Sequence, residues 1–280
     1  MSDDGSSTGG IIAIALGLGH PAKQIVSFYE KFGPSIFKQQ SILRRFVTGS
    51  VQIDAGALER AVTDVFGLGR RFRDSTTRLA IPSTDSKDHK PHIFKTGHRP
   101  ELIRDENVTV VEVVRATTNV PLALRPYDLQ RNRVSLLDGG MWANNPIAFA
   151  VIEAVNLKWW PCEDVRVLSL GCTSSRIDSP WERHPLALLA RPQTVIGALL
   201  AIQSAAAMTM AQNLLDDRTR ILRIDPELST RCRLDDVSRI GELRDLGVRE
   251  ARQQLRTVKE RFFSDGPREA FTPCAKQQPS

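Results

Sequence analysis

The sequence predicts an α/β protein in which helices cover a sheet, and three observations support this fold class. Helical periodicity alternates with short β-forming runs along most of the chain, as in a layered α/β domain. A turn of small residues, Gly5-Ser6-Ser7-Thr8-Gly9-Gly10, leads directly into the apolar run 11–16. A second apolar run, 134–137, ends at Asp138-Gly139-Gly140. Both turns have the composition of a connection from a strand to a helix.

Local patterns place the elements in order along the chain. The first part is predicted to form three helices, over 8–18, 22–32 and 54–65, the last capped by Asp54. Strands follow at 78–81 and 91–95, separated by a polar loop over 83–90. The later part is predicted to contain a buried strand at 165–170, a loop over 174–191, a helix over 194–215, a strand at 220–224 and a helix over 241–262.

The first turn fits the G-x-S-x-G pattern of a nucleophile elbow, with Ser7 at its centre. In such an elbow the serine lies on a strained strand-to-helix turn that exposes its hydroxyl. Small residues such as Gly5 and Gly9 are needed there because neighbouring backbone passes close by. Only residues 1–4 precede the turn, so the strand that should lead into it is nearly absent. The pattern predicts a serine hydrolase; the simpler interpretation makes Ser7 the cap of the following helix.

The second turn combines an acidic residue with a helix start. After Asp138-Gly139-Gly140 the chain continues to Asn145-Pro146, a favourable N-cap and first helical residue for a helix over 147–155. Aspartate before glycine often only hydrogen-bonds its own backbone in a turn. Paired with a candidate nucleophile, Asp138 becomes a candidate general base. Gly139, Gly140 and Asn145 are expected to be structural.

At these residues the chain resembles the patatin-like phospholipases, lipid acyl hydrolases with a Ser-Asp dyad. The resemblance rests on the elbow, on Arg115-Ala116-Thr117-Thr118, and on the stretch from Leu137 through Asn145-Pro146. Weaker similarities lie at 93–96 and 167–171. The resemblance implies a layered helix–sheet–helix domain over 1–265, with 194–265 as its helical carboxy-terminal part. The composition of 266–280 predicts a disordered tail. The resemblance also implies a helix at 108–115, where the β-branched residues favour a strand.

The resemblance implies that Ser7 attacks an ester carbonyl to form an acyl-enzyme and that Asp138 serves as the base. The backbone N–H of Thr8 would be one oxyanion donor. In the family further donors come from a Gly-rich loop before the elbow, and this sequence contains no such loop. We therefore expect an N-terminally truncated patatin-like domain. The substrate expected is a phospholipid or related acyl ester. A degenerate protein that binds lipid or a protein partner is the alternative.

A Ser-Asp-His triad is a second alternative, because His184 is the only histidine after Asp138. We expect no metal and no cofactor, since the spacing of His89, His92 and His98 matches no ligand set. The four cysteines are scattered and indicate a reducing compartment rather than a zinc site.

The chain carries a net charge of +6. Nucleic acid is not an expected partner, because the basic stretches lack interleaved aromatic residues. The simpler interpretation of the charge is a solvated surface balanced by nearby Asp and Glu, and the functional interpretation is attraction to anionic phospholipid headgroups. No run reaches the length of a membrane span in this interpretation, and the nearest, 195–210, is predicted to be a buried core helix. We expect a cytoplasmic protein, with peripheral membrane contact left open.

Overall fold

A computed structural model describes residues 1–38, 53–121, 123–156, 161–175, 192–230, 232–233, 235–264 and 271–274. These residues divide into two compact units. The first unit comprises the described residues from Met1 to Pro146 together with 271–274. The second comprises the described residues from Ile147 to 264. The predicted α/β class is confirmed.

A mixed sheet of five strands forms the centre of the first unit. Its strands are β1 (Ser2–Asp4), β2 (Arg78–Asp85), β3 (Lys90–Lys95), β4 (Tyr127–Leu129) and β5 (Val134–Asp138). The long strand β2 pairs antiparallel with β3 along one edge. On its other edge β2 pairs first with β1 and then with β5, and β4 follows β5.

The two strands that share an edge of β2 run toward each other. β1 is parallel to β2 and ends with Asp4 opposite Ala80, whereas β5 is antiparallel and ends with Asp138 opposite Ser83. Their carboxyl ends therefore converge on a short stretch of β2. At about 3.3 Å per strand residue, the two ends lie about 10 Å apart along β2.

Helices of the first unit supply most of its core. They are α1 (Thr8–Gly17), α2 (Ala22–Ile36), α3 (Ala55–Phe66), α4 (Val110–Thr117) and the short α5 (Gly140–Ala143). The buried apolar side chains of α1 to α4 join Leu79, Ile81 and Phe94 of the sheet in one cluster. Helix α1 is apolar over nearly its whole sequence, and it packs against β1 and β2.

Two helix starts in this unit show why the chain turns helical there. Asp54 caps α3 as predicted, since its Oδ1 accepts a 2.9 Å hydrogen bond from the Ala57 N–H. Thr109 and Glu112 form a capping box at the start of α4, each side chain accepting from the backbone N–H of the other. The ambiguity at 108–115 is thus resolved in favour of a helix.

The second unit contains three long helices and two pairs of short strands among its described residues. These are α6 (Ile147–Asn156), α7 (Pro192–Leu215), α8 (Ile240–Phe262), and the parallel pairs β6 (Val167–Leu170) with β8 (Ile221–Ile224) and β7 (Ser174–Ser175) with β9 (Glu227–Leu228). A small apolar cluster, to which Val151 and Leu215 belong, holds α6 and α7 to the strands.

Two predictions of burial in this unit are wrong. The strand at β6 is half-exposed, with Leu170 at 67% exposure, because β6 pairs with β8 alone among the described residues. Helix α7 is not a buried core helix. Its small residues Ala198 and Ala211 are buried, whereas Leu199, Ile202 and Met210 are exposed.

Helix α7 also corrects the expectation about membrane-spanning length. Val195–Leu215 is long and apolar enough to cross a bilayer on length and composition, and only 11% of its apolar window is buried. Core helices of soluble proteins can also be this long and this apolar. Length and composition therefore do not decide whether α7 crosses a membrane.

Other differences concern loops. The predicted polar loop 83–90 is shorter, because Ser83, Thr84 and Asp85 continue strand β2. Most of the loop predicted at 174–191 lies outside the described residues, as does most of the predicted disordered tail. Within that tail, the described residues 271–274 hydrogen-bond to the first unit through the Phe271 N–H to Thr76 and the Cys274 N–H to Gly97.

Candidate active site

The turn between β1 and α1 holds Ser7 in an unusual backbone conformation. Its φ is 54° and its ψ is −125°, a region that non-glycine residues rarely occupy. The turn is so tight that a Cβ on Gly5 would lie 2.2 Å from the carbonyl oxygen of Gly9. A Cβ on Gly9 would meet nothing within 4 Å, so the prediction that close backbone requires a glycine holds for Gly5 and is wrong for Gly9. This strained connection is the geometry of a nucleophile elbow, and it leaves the half-buried Ser7 at the start of helix α1.

The Ser7 hydroxyl points at the carboxylate that ends β5. Ser7 Oγ donates a 2.7 Å hydrogen bond to Oδ2 of Asp138, although the two residues are 131 positions apart in the chain. The other carboxylate oxygen, Oδ1, accepts a 2.6 Å hydrogen bond from the Gly140 N–H. Both oxygens of Asp138 are therefore occupied, and the one facing the serine is placed to receive its proton.

Asp138 is buried in an environment that favours its neutral form. Its side chain is only 5% exposed, and desolvation raises its pKa to about 6, while the hydrogen bonds from Ser7 and Gly140 limit that rise. A carboxylate with a pKa near 6 is mostly ionised at neutral pH and still basic enough to accept a proton in a reaction.

Gly139 is required by the sheet. A Cβ at this position would lie 2.2 Å from the carbonyl oxygen of Pro82 on the neighbouring strand. Because β5 must turn away from β2 immediately after Asp138, only a residue without a side chain fits. Trp142, in the helix that follows, anchors this turn by donating from Nε1 to the Ser83 carbonyl at 2.8 Å.

The amino terminus of α1 begins directly after Ser7 and carries free backbone N–H donors. The first N–H groups of a helix have no intrahelical acceptor, and the helix dipole favours negative charge there. Thr8 and Gly9 are the first residues of α1, so the Thr8 N–H has the place that an elbow gives to an oxyanion donor. The Tyr29 hydroxyl donates to the Thr8 carbonyl at 2.8 Å and ties this turn to α2.

The structure brings most of the predicted site residues together. Ser7, Thr8 and the elbow glycines meet the Asp138-Gly139-Gly140 turn within the first unit. Asn145 is buried, with 5% of the residue exposed. His184 lies outside the described residues, so the triad alternative is not tested. The described part of the chain contains no group of three or more side chains suited to bind a metal ion.

One residue of the site escaped prediction from sequence. The Ser7 N–H donates a 3.1 Å hydrogen bond to Oγ1 of Thr117, at the end of α4. Thr117 lies in the Arg115-Ala116-Thr117-Thr118 segment on which the family resemblance rests, but that segment carried no residue role.

Comparisons with known proteins identify a family for this part of the chain. The family model described as patatin-like phospholipase matches residues 4–151, just over half of the 280 residues. A cGAMP-activated phospholipase of Vibrio cholerae is 28% identical over 60% of this chain and 51% of its own length. One of the same name from Pseudomonas aeruginosa is 31% identical over 60% of this chain and 50% of its own length.

A plant relative has a different description. The probable inactive patatin-like protein 9 of Arabidopsis thaliana is 28% identical over 62% of this chain and 50% of its own length. The chain spans about half the length of each of these relatives. The match to the family model includes both Ser7 and Asp138. The chain belongs to the patatin-like phospholipase family.

Proposed function

We propose that this chain is a serine lipid acyl hydrolase that cleaves carboxylic esters of phospholipids or related lipids. The observation that carries the proposal is the 2.7 Å hydrogen bond from Ser7 Oγ to the buried carboxylate of Asp138. A hydroxyl is a weak nucleophile until a neighbouring base removes its proton, and this contact provides that base.

The reaction proceeds in two halves. Ser7 Oγ attacks the ester carbonyl carbon while its proton moves to Oδ2 of Asp138, and the resulting oxyanion lies near the amino terminus of α1. The tetrahedral intermediate then expels the alcohol, which takes the proton from Asp138, and leaves the acyl group on Ser7. In the second half Asp138 accepts a proton from water, the hydroxide oxygen attacks the acyl carbon, and the fatty acid leaves as Ser7 regains its proton.

The proposed base is suited to this cycle in both directions. At neutral pH a carboxyl group with a pKa of about 6 is mostly ionised, so it can accept the serine proton. The same pKa keeps the protonated form acidic enough to return that proton to the leaving alcohol. A carboxylate at its ordinary pKa of about 4 would be the weaker base.

Membership of the family supports a lipid ester as substrate, and the elbow geometry supports Ser7 as the nucleophile. Relatives named cGAMP-activated phospholipases support a phospholipid substrate. The plant relative described as probably inactive supports the alternative that this chain keeps the fold and binds lipid or a protein partner without turnover. Ester turnover and lipid binding are therefore measured in separate experiments.

The test uses two adjacent serines. We expect wild-type protein to release fatty acid from phosphatidylcholine vesicles and to be labelled by a fluorophosphonate probe, and Ser7→Ala to lose both. Ser6→Ala is the matched control, because the Ser6 hydroxyl is buried and makes no hydrogen bond to the described residues. Equal turnover by wild type and Ser7→Ala would contradict the proposed nucleophile.

A wild-type chain without turnover is assayed again with cGAMP. The names of the bacterial relatives indicate that an activator is needed in those proteins. Turnover and labelling that appear only with cGAMP would support the enzyme and add the activator. Their absence under both conditions, with binding to vesicles retained, would favour the non-enzymatic alternative.

A further inference from the structure

The carboxyl end of helix α4 contacts both halves of the proposed dyad. Thr117, the last residue of α4, is fully buried, and its Oγ1 accepts the 3.1 Å hydrogen bond from the Ser7 N–H. The same hydroxyl donates a 2.6 Å hydrogen bond to the Pro82 carbonyl. Because its single hydrogen is committed to Pro82, the oxygen presents a lone pair to Ser7.

The backbone after Thr117 holds the turn that carries Asp138. The Gly139 N–H donates to the Thr117 carbonyl at 3.3 Å, and the Asp138 N–H donates to the Asn119 carbonyl at 3.0 Å. The side chain of Asn119 is fixed in turn, since its Nδ2 donates to the carbonyl of Leu136 at 3.0 Å. One segment of three residues therefore contacts both the nucleophile turn and the base turn.

The contact with Ser7 has a specific structural reason. A residue with φ of 54° and ψ of −125° is strained, and such a conformation persists only where its surroundings fix it. The Ser7 N–H belongs neither to the ladder of β1, which ends at Asp4, nor to the hydrogen bonds of α1. Thr117 Oγ1 gives this N–H its partner and thereby fixes the direction in which the Ser7 side chain leaves the backbone.

The position of Pro82 makes this arrangement available. On the edge of β2 that faces Thr117, β1 pairs with residues up to Ala80 and β5 pairs from Ser83 onward. Ile81 and Pro82 thus have no strand partner on that edge among the described residues. The Pro82 carbonyl accepts from Thr117 there, and a proline, which lacks an N–H, leaves no unpaired donor behind.

We propose that Thr117 is a positioning residue that fixes the backbone of Ser7 relative to Asp138 for the acyl-transfer reaction. The inference rests on the proposed function, because it assigns a role within the same site. Thr117 touches no reacting atom; it acts through the Ser7 N–H.

Thr117→Val and Thr117→Ser test the role. Valine keeps the shape of threonine and removes the hydroxyl, whereas serine keeps the hydroxyl and removes the methyl group. We expect Thr117→Val to lower kcat by about 100-fold with little change in KM, since a misplaced reacting group costs a factor of this order. Thr117→Ser should retain most of the wild-type kcat.

The pH profile distinguishes positioning from loss of stability. The hydrogen bond from Ser7 lowers the pKa of Asp138 relative to burial alone. If Thr117→Val misaligns Ser7, Asp138 loses part of that effect, and the acid limb of the kcat profile moves to higher pH. A variant that is merely less stable would keep the limb where it is, and urea unfolding measured in parallel reports the stability.

The possible results distinguish failure of the positioning role of Thr117 from failure of the proposed hydrolase function. Active wild type with a Thr117→Val variant of unchanged kcat and unchanged pH limb overturns the positioning role alone. A Thr117→Ser variant as impaired as Thr117→Val also overturns it, because the hydroxyl would then not be the important group. Wild type that hydrolyses no ester and binds no fluorophosphonate, with or without cGAMP, overturns the proposed function and this role with it.

Discussion

Ser7 donates its hydroxyl hydrogen to Asp138 across a gap in the sheet that spans only Ile81 and Pro82 of β2. The strand before Ser7 and the strand that ends at Asp138 approach this gap from opposite directions. Two segments far apart in sequence thus meet because they share one edge of one strand.

Ester hydrolysis should depend on the ionisation of Asp138. Because burial raises the pKa of Asp138 to about 6 and the base must be ionised, kcat/KM should rise with pH below about 6 and level off above it. Stopped assays with a soluble p-nitrophenyl ester measure the acid limb of the kcat/KM profile. They cover about pH 4.5 to 8.5, a range that brackets this pKa. A limb that His184→Ala removes would instead favour the triad.

Asp138→Asn should abolish turnover and stabilise the fold at alkaline pH. The folded pKa of about 6 lies above the model value of 3.8, so the folded state binds a proton more tightly than the unfolded state. The contribution of Asp138 to wild-type stability is therefore most favourable below about pH 4, falls as pH rises toward 6, and stays lower above it. The full shift corresponds to about 3 kcal/mol.

Asparagine at position 138 removes the cost of burying an ionised carboxylate, because its side chain is neutral at every pH. Its oxygen can still accept from the Gly140 N–H, and its amide can donate to Ser7. We expect the free energy of unfolding of Asp138→Asn to exceed that of wild type by about 1–3 kcal/mol at pH 8 and the difference to vanish near pH 4. Urea unfolding at the two pH values measures it. A variant less stable than wild type at pH 8 would contradict the desolvation argument.

Gly139→Ala should strongly destabilise the first unit. The new methyl group would lie 2.2 Å from backbone oxygen of Pro82, which cannot move without breaking the sheet. We expect a loss of more than about 2 kcal/mol in thermal or urea unfolding. Gly9→Ala is the matched control, because a Cβ there meets nothing within 4 Å and alanine favours the helix. Equal stability of the two variants would show that the turn can rearrange.

Thr109→Ala should weaken helix α4 at the end opposite the site. The substitution removes the side chain that accepts from the Glu112 N–H, and loss of a capping residue costs about 1 kcal/mol. We expect this loss in unfolding experiments together with unchanged kcat, since Thr117 keeps its contacts at the other end of the helix. A lower kcat at full folding would show that the two ends of α4 are coupled.

Local patterns were sufficient to identify the two turns that meet at the candidate site. The elbow around Ser7 and the turn after Asp138 each depend on residues that are neighbours in sequence, so spacing and glycine content identify them. The contact between the two turns depends on the register of β1 and β5 on β2, and no local pattern encodes a pairing between strands so far apart. The family resemblance supplied that link.

The segments where the structure differs from the prediction have equally specific causes. The valines near residue 110 favour a strand, but the Thr109-x-x-Glu112 spacing of a capping box was the better local signal. Ser83 and Thr84 resemble loop residues because they are polar. On β2 their hydroxyls are satisfied by the carbonyls of Leu137 and Asp138, which allows polar side chains within a central strand.

Thr117 could not be assigned from sequence for a related reason. A threonine at the end of a helix has several ordinary uses, including a hydrogen bond to the preceding turn. Its actual partners, Ser7 and Pro82, lie 110 and 35 positions away in the chain. Only the folded arrangement of three segments identifies what this hydroxyl does.

Strand β1 has three residues, and its register on β2 is set by three pairs, from Ser2 opposite Arg78 to Asp4 opposite Ala80. A slip of one position would displace the elbow by about 3.3 Å and turn alternate side chains to the other face of the sheet. The serine would then be separated from its carboxylate while the rest of the fold stayed intact. Displacement of this strand would therefore break the contact between Ser7 and Asp138 without altering either side chain.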